Sequence, residues 1–125
     1  MKSAWTGRIL SVLSILFLLF DAGSHFAQPA PVVEAFRRLG FPLDRSFALA
    51  VIELVCVVVY AIPQTSVLGA VLVTGYLGGA VAVHMRVHDP VFDTIFPILL
   101  GVLVWAGVWL RNPRLRALIT IQNEN

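Results

Sequence analysis

Four long apolar runs, separated by short polar or proline-containing segments, dominate the sequence. With its flanking residues, each run supplies about 17 to 25 residues, which is enough for a helix to cross a bilayer. Strands usually have about 4 to 8 residues, so the length of the runs argues against buried strands. The pattern therefore predicts membrane-spanning helices at about 8–27, 45–62, 65–85 and 92–110.

The segments between the runs predict how the helices turn. A Pro-Ala-Pro segment at 29–31 ends the first helix, and residues 32–39 are expected to form a short amphipathic helix at the membrane interface. The Ile-Pro-Gln-Thr segment at 62–65 is short enough to force a helical hairpin, and His-Asp-Pro at 88–90 is similarly short. We therefore predict an all-α fold, an antiparallel four-helix bundle integral to a membrane, with residues 1–125 as a single domain.

The composition supports a membrane environment. Hydrophobic residues make up 58% of the 125 positions and charged residues only 13%, whereas soluble domains are about half apolar and a quarter charged. A domain of this size cannot bury such an excess in its own core, so the lipid bilayer is the predicted partner. The net charge is only +2 and no basic stripe with interleaved aromatics is present, so nucleic-acid binding is not predicted.

The N-terminal run has two interpretations. Lys2 and Arg8 precede an apolar core, and small residues follow it, as in a secretory signal peptide. We expect a retained first span instead, because Asp21 would be unusual directly behind a signal core. A mature protein that begins near Gln28 would contradict the four-span prediction.

Lysine and arginine residues in the short connecting segments predict the orientation in the membrane. The side that carries both termini has five of them and the opposite side has four. This excess favours both termini in the cytoplasm. The residues are Lys2, Arg8, Arg111, Arg114 and Arg116 on the first side, and Arg37, Arg38, Arg45 and Arg86 on the second.

Polar residues inside the spans are expensive in lipid, so each needs a partner or a function. At the helical rise per residue, Glu53 lies about 12 Å, Asp21 about 10 Å and Tyr76 about 15 Å from the same membrane side. We expect these three side chains to meet in one cavity, with His25 and Arg86 nearer its mouth. Arg86 is the predicted cation for the two carboxyl groups, either as a structural ion pair or as part of a ligand or proton site.

The histidines do not predict a metal centre. His25, His84 and His88, together with nearby aspartates, are residue types that bind metals, but their spacing matches no standard metal motif. His84 also lies on the opposite face of its helix from Arg86. An interfacial role against lipid headgroups or loop carbonyls is the simpler interpretation, so no metal site is predicted.

The third run is rich in small residues on one helical face. Such faces let helix backbones approach closely in a membrane, where lipid gives no hydrophobic drive for association. We therefore predict a close neighbouring helix along this face and expect Gly79→Leu to disrupt assembly. The predicted packing residues are Gly75, Gly78, Gly79 and Ala82, and Arg86 continues the same face.

Several segments together resemble the DoxX-like family, and their order covers nearly the whole chain. The Thr-Gly-Tyr-Leu-Gly-Gly-Ala block is the most specific of them. The segments are Leu-Phe-Asp-Ala-Gly at 19–23, Ile-Glu-Leu-Val-Cys at 52–56, Ile-Pro-Gln-Thr-Ser-Val-Leu-Gly-Ala-Val-Leu at 62–72, the block and its continuation at 74–87, and Trp-Leu-Arg-Asn at 109–112.

The resemblance implies a small four-helix protein of the bacterial cytoplasmic (inner) membrane. Better-studied relatives are associated with quinone-linked sulfur oxidation or with membrane redox complexes. We therefore expect an accessory subunit, or a component that binds a quinone or another small ligand, with redox proteins as partners and no catalytic residue of its own. Two alternatives stay open: a structural interaction protein without chemistry, and a small proton or solute transporter that would need to oligomerise.

Overall fold

The computed structural model describes residues 2–119, and these residues are helical along most of their length. No strand occurs in this range, which confirms the predicted all-α class. Short 3-10 turns at Leu43–Arg45 and Pro63–Thr65 precede the third and fourth helices. The six α-helices are α1 Lys2–Ala27, α2 Ala30–Leu39, α3 Ser46–Ala61, α4 Ser66–Arg86, α5 Val91–Arg111 and α6 Pro113–Ile119.

Three segments are long and apolar enough to cross a membrane by length and composition. They are α1, the segment Pro63–Arg86 that contains α4, and α5. Helix α3 has 16 residues and is therefore about 24 Å long, shorter than the other three. Large apolar side chains also cover the outer surfaces of the long helices, as Phe20 and Val102 illustrate. A helix that is apolar on all sides is typical of a membrane protein.

Helix α2 is the amphipathic helix predicted between the first two runs. Pro31 stands in its first turn, where a missing N–H costs nothing. Gly40 ends the helix with φ at 67°, and the N–H groups of Gly40 and Phe41 donate to the carbonyls of Arg37 and Phe36. This left-handed ending is the usual glycine helix cap, and it turns the chain back towards α3.

The four longer helices contact one another in a ring, in which α1 and α4 each pack against both α3 and α5. Residues near the start of one helix contact residues near the end of its neighbour. Ser11 near the start of α1 is hydrogen-bonded to Tyr60 near the end of α3, at 2.9 Å. Ser46 at the start of α3 donates to the carbonyl of His25 near the end of α1, at 2.7 Å.

A buried polar network ties the helices together at the end that carries the start of α1. Arg111 donates from Nε to Ser11 Oγ at 3.0 Å and from a terminal nitrogen to Ser66 Oγ at 3.1 Å. The Tyr60 hydroxyl donates to the carbonyl of Val104 at 2.8 Å, and the Arg111 guanidinium lies 5.7 Å from the Tyr60 ring. These partners satisfy the buried hydroxyl groups, as stable protein interiors require.

Close helix contacts at this end depend on three glycines. A Cβ on Gly7 would lie 2.7 Å from the carbonyl oxygen of Gly107, and a Cβ on Gly69 would overlap backbone atoms of Tyr60. A Cβ on Gly107 would meet Ser11 Oγ. The absence of side chains therefore allows α1 to approach α5, and α3 to approach α4, at backbone distance.

The glycines that the sequence predicted for packing lie elsewhere. A Cβ on Gly75, Gly78 or Gly79 would meet no heavy atom within 4 Å, and Ala82 is exposed. The prediction that this face packs closely against a neighbouring helix of the chain is therefore wrong. Helix α4 instead packs through the face that carries Gly69, because helical phase alone does not tell which small face meets a neighbour.

We predict that Gly69→Ala destabilises the protein by about 1 to 3 kcal/mol, because the new methyl group must displace the Tyr60 backbone. Gly78→Ala is the matched control in the same helix, and it should be neutral or slightly stabilising because alanine favours helix more than glycine does. Thermal unfolding of both variants in the same detergent would measure the difference. Equal midpoints for the two variants would contradict the packing at Gly69.

Candidate functional site

Four of the predicted polar residues meet between three helices, and we name them the polar cluster: Asp21 and His25 of α1, Glu53 of α3 and Tyr76 of α4. The spacing of four residues places Asp21 and His25 on one face of α1. This meeting is consistent with the depths predicted for Asp21, Glu53 and Tyr76, all about 10 to 15 Å from one membrane side.

Glu53 is the most deeply buried member of the polar cluster, with only 1% of its surface exposed. The Tyr76 hydroxyl donates a hydrogen bond to its Oε2 at 3.1 Å, and His25 Nδ1 lies 3.6 Å from the same oxygen. The other oxygen, Oε1, is buried and has no hydrogen-bond partner among the described residues. A buried polar atom without a partner is costly and calls for an explanation.

His25 joins Glu53 to the outer part of the cluster. Its Nδ1 donates to the backbone carbonyl of Asp21 at 2.8 Å and lies 3.6 Å from Asp21 Oδ2. The Phe36 ring of α2 packs edge-on against the imidazole, with ring centroids 5.6 Å apart. Exposure of the side chain is 15% for His25 and 42% for Asp21, so the cluster leads from the buried Glu53 towards the surface.

The polar cluster forms one wall of a large cavity of about 710 Å³. The remaining walls are mainly apolar and come from α1, α3, α4 and α5, while the apolar face of α2 closes one side. Gly75 and Gly79 also line the cavity, and because they have no side chains the cavity is wider beside Tyr76. Representative apolar residues of the wall are Leu18, Phe36, Leu49, Phe96 and Leu100.

Arg86 is not part of the polar cluster. It is exposed at the last position of α4, and its guanidinium lies beside Gly40, where an added Cβ would be 3.1 Å from a terminal nitrogen. Among the described ion pairs, none joins Arg86 to Asp21 or Glu53. The predicted role of Arg86 as cation for these carboxyl groups is therefore wrong, because its side chain extends towards the loop after α2 instead.

A second polar contact, which the sequence did not predict, holds α2 in place. Asp89, in the connection between α4 and α5, has a side chain that is only 4% exposed and lies 3.3 Å from a terminal nitrogen of Arg38. The same carboxyl oxygen is hydrogen-bonded to His84 Nδ1. Arg38 is distant in the sequence from His84 and Asp89, so only the folded chain brings it to them.

A second hollow, of about 630 Å³, lies between α4 and α5, and it includes Gly78, Trp105 and Trp109. Trp105 Nε1 donates to Thr74 Oγ1 at 2.6 Å across this hollow. None of its lining residues carries a charge. The charged residues around the larger cavity therefore make that cavity the candidate functional site.

The sequence comparisons identify the family to which most of the chain is similar. Residues 9–107 match the family model described as the DoxX-like family. No curated protein and no solved structure matches the chain. The matched range contains all four residues of the polar cluster and most of the large cavity, and it covers well over half of the 125 residues. The chain therefore belongs to the DoxX-like family.

Proposed function

We propose that this membrane protein is an antiparallel four-helix bundle in which α1, α3, α4 and α5 cross the bilayer. Two observations support this arrangement. Residues near the start of one helix contact residues near the end of its neighbour, and the outer surfaces of the helices are apolar. The 3-10 turns that flank α3 lengthen the shortest span. The count of basic residues supports cytoplasmic termini, and the family supports the bacterial inner membrane as the location.

We propose that the protein binds a small ligand with an apolar body and a polar head, and a quinone is the class that fits best. The cavity carries this proposal, because its apolar walls end on the polar cluster. Ligand sites are usually apolar hollows with a few polar groups that fix orientation. In this role the protein is an accessory subunit of a membrane redox system. Co-purification in mild detergent would identify its partner proteins.

Different residues of the cavity would contact different parts of the ligand. On quinone binding, the Tyr76 O–H would turn from Glu53 Oε2 to a carbonyl oxygen of the head group, because a tyrosine hydroxyl has only one proton to donate. Gly75 and Gly79 leave room for the flat ring beside Tyr76, and the apolar walls take up the ring and the start of the tail. The quinone itself would carry the redox chemistry, and the protein would orient it and limit water access.

We predict that Gly79→Leu weakens binding of a short-tailed ubiquinone analogue at least about tenfold, which corresponds to about 1.4 kcal/mol. A Cβ added at position 79 would meet no heavy atom within 4 Å, and position 79 lines the cavity, so the larger side chain is expected to occupy ligand space. Quinone titration of the purified protein in lipid nanodiscs would give the dissociation constants.

Gly78→Leu is the control for this experiment, because position 78 lines the other hollow and also has open space. It should leave quinone binding unchanged, and both variants should keep the wild-type unfolding temperature. Absence of saturable binding by the wild-type protein would refute the proposal, as would an equal loss of affinity in both variants.

The double variant Glu53→Met with Tyr76→Phe distinguishes a ligand site from a structural pair. Replacing both partners of a buried polar contact by apolar groups of similar shape is often neutral or stabilising. We therefore predict an unfolding temperature equal to or above that of the wild type, together with weaker quinone binding. A strongly lowered unfolding temperature would favour the alternative in which the cluster only holds the helices together.

A further inference from the structure

We infer that Asp21, His25 and Glu53 form a binding site for one divalent metal ion of the Zn²⁺ type. The site lies at the polar end of the proposed ligand cavity. A metal ion would be a second occupant of this cavity, beside the proposed quinone. The inference depends on the geometry of three side chains and does not require quinone binding.

The three side chains are already close to a metal-binding arrangement. Each offers one ligand atom, and these atoms all lie within 4.8 Å of one another. His25 Nδ1 is 3.6 Å from an oxygen of Asp21 and 3.6 Å from an oxygen of Glu53. In a tetrahedral site with metal–ligand bonds of about 2.0 to 2.2 Å, ligand atoms lie about 3.3 to 3.6 Å apart. Only small side-chain movements are needed to enclose an ion.

The unpartnered oxygen of Glu53 is an independent indication of a missing ligand. Oε1 is buried without a hydrogen-bond partner among the described residues, although Oε2 is bonded to Tyr76. No described lysine or arginine forms an ion pair with Glu53 or Asp21, and Arg86 lies beside Gly40. A divalent cation bound by both carboxyl groups would give the buried Glu53 side chain a charged partner inside the protein.

Binding requires one exchange within the cluster. His25 Nδ1 now donates to the Asp21 carbonyl, so its proton must move to Nε2 or be released before Nδ1 can bind the ion. The Tyr76 hydroxyl keeps its bond to Glu53 and orients that ligand from outside the coordination sphere. Three protein ligands leave one tetrahedral position open. The imidazole ligand favours Zn²⁺ over Mg²⁺.

The test is isothermal titration calorimetry, in which Zn²⁺ is added to the full chain in detergent. The protein is first treated with a chelator, and no quinone is present. We expect one Zn²⁺ per chain. His25→Ala and Glu53→Gln should each weaken binding about 100-fold or more, and Tyr76→Phe about tenfold, because it removes an outer-shell hydrogen bond. X-ray absorption of the loaded protein should show one imidazole among oxygen ligands.

His88→Ala and His84→Ala are the matched controls, since each removes a histidine outside the polar cluster. Both should leave the Zn²⁺ affinity unchanged, and circular dichroism of each metal-free variant should first show the wild-type helix content. The inference is overturned if wild-type protein does not bind Zn²⁺, or if the controls lose binding while His25→Ala and Glu53→Gln retain it. If the protein binds Zn²⁺ but no quinone, the proposed quinone ligand is refuted and the metal site stands. If it binds quinone but no Zn²⁺, the metal site is refuted and the quinone ligand stands.

Discussion

The close approach of the helices at one end of the bundle is the constraint on which the rest of the structure depends. Gly7, Gly69 and Gly107 remove the side chains that would separate the backbones there. Tyr60, fully buried, fills the space that remains and bonds to two neighbouring helices. Because the helices are drawn together at this end, the wider space lies at the other end, where the large cavity is found.

The two ends differ in how well their polar groups are satisfied. In the network around Arg111, the hydroxyl groups of Ser11, Ser66 and Tyr60 all have partners. In the polar cluster, Glu53 has one bonded oxygen and one without a partner. A satisfied network in a low-dielectric interior stabilises and orders a structure, whereas an incompletely satisfied one costs free energy. The satisfied network and the candidate site therefore lie at different levels along the helices.

Helix α2 completes the second end by covering the cavity. Its apolar face, with Phe36 against His25, contributes to the cavity wall. Its polar side contributes Arg38, which lies next to the nearly buried Asp89. One short amphipathic helix therefore both shields the polar cluster and connects it to the loop between α4 and α5.

The sequence by itself determined the helices and a common level for three of the polar residues along them. Apolar runs of sufficient length gave the long helices, and the rise per residue was enough to predict that Asp21, Glu53 and Tyr76 would meet. The amphipathic character of α2 and membership of the DoxX-like family could also be predicted. These features depend on local periodicity and composition, which a single sequence contains.

Only the tertiary structure decided which faces meet and where long side chains end. Helical phase grouped Gly75, Gly78 and Gly79 on one face of α4, whereas Gly75 and Gly79 line the large cavity and Gly78 lines the second hollow. Phase could not tell a packed face from one that lines a cavity. Arg86 and Arg111 illustrate the same limit, since an arginine side chain can reach several neighbours and its partner depends on helix rotation. His25, placed by the sequence at the mouth, lies 3.6 Å from an oxygen of Asp21 and 3.6 Å from an oxygen of Glu53. Such contacts join distant parts of the chain, and no local pattern specifies them.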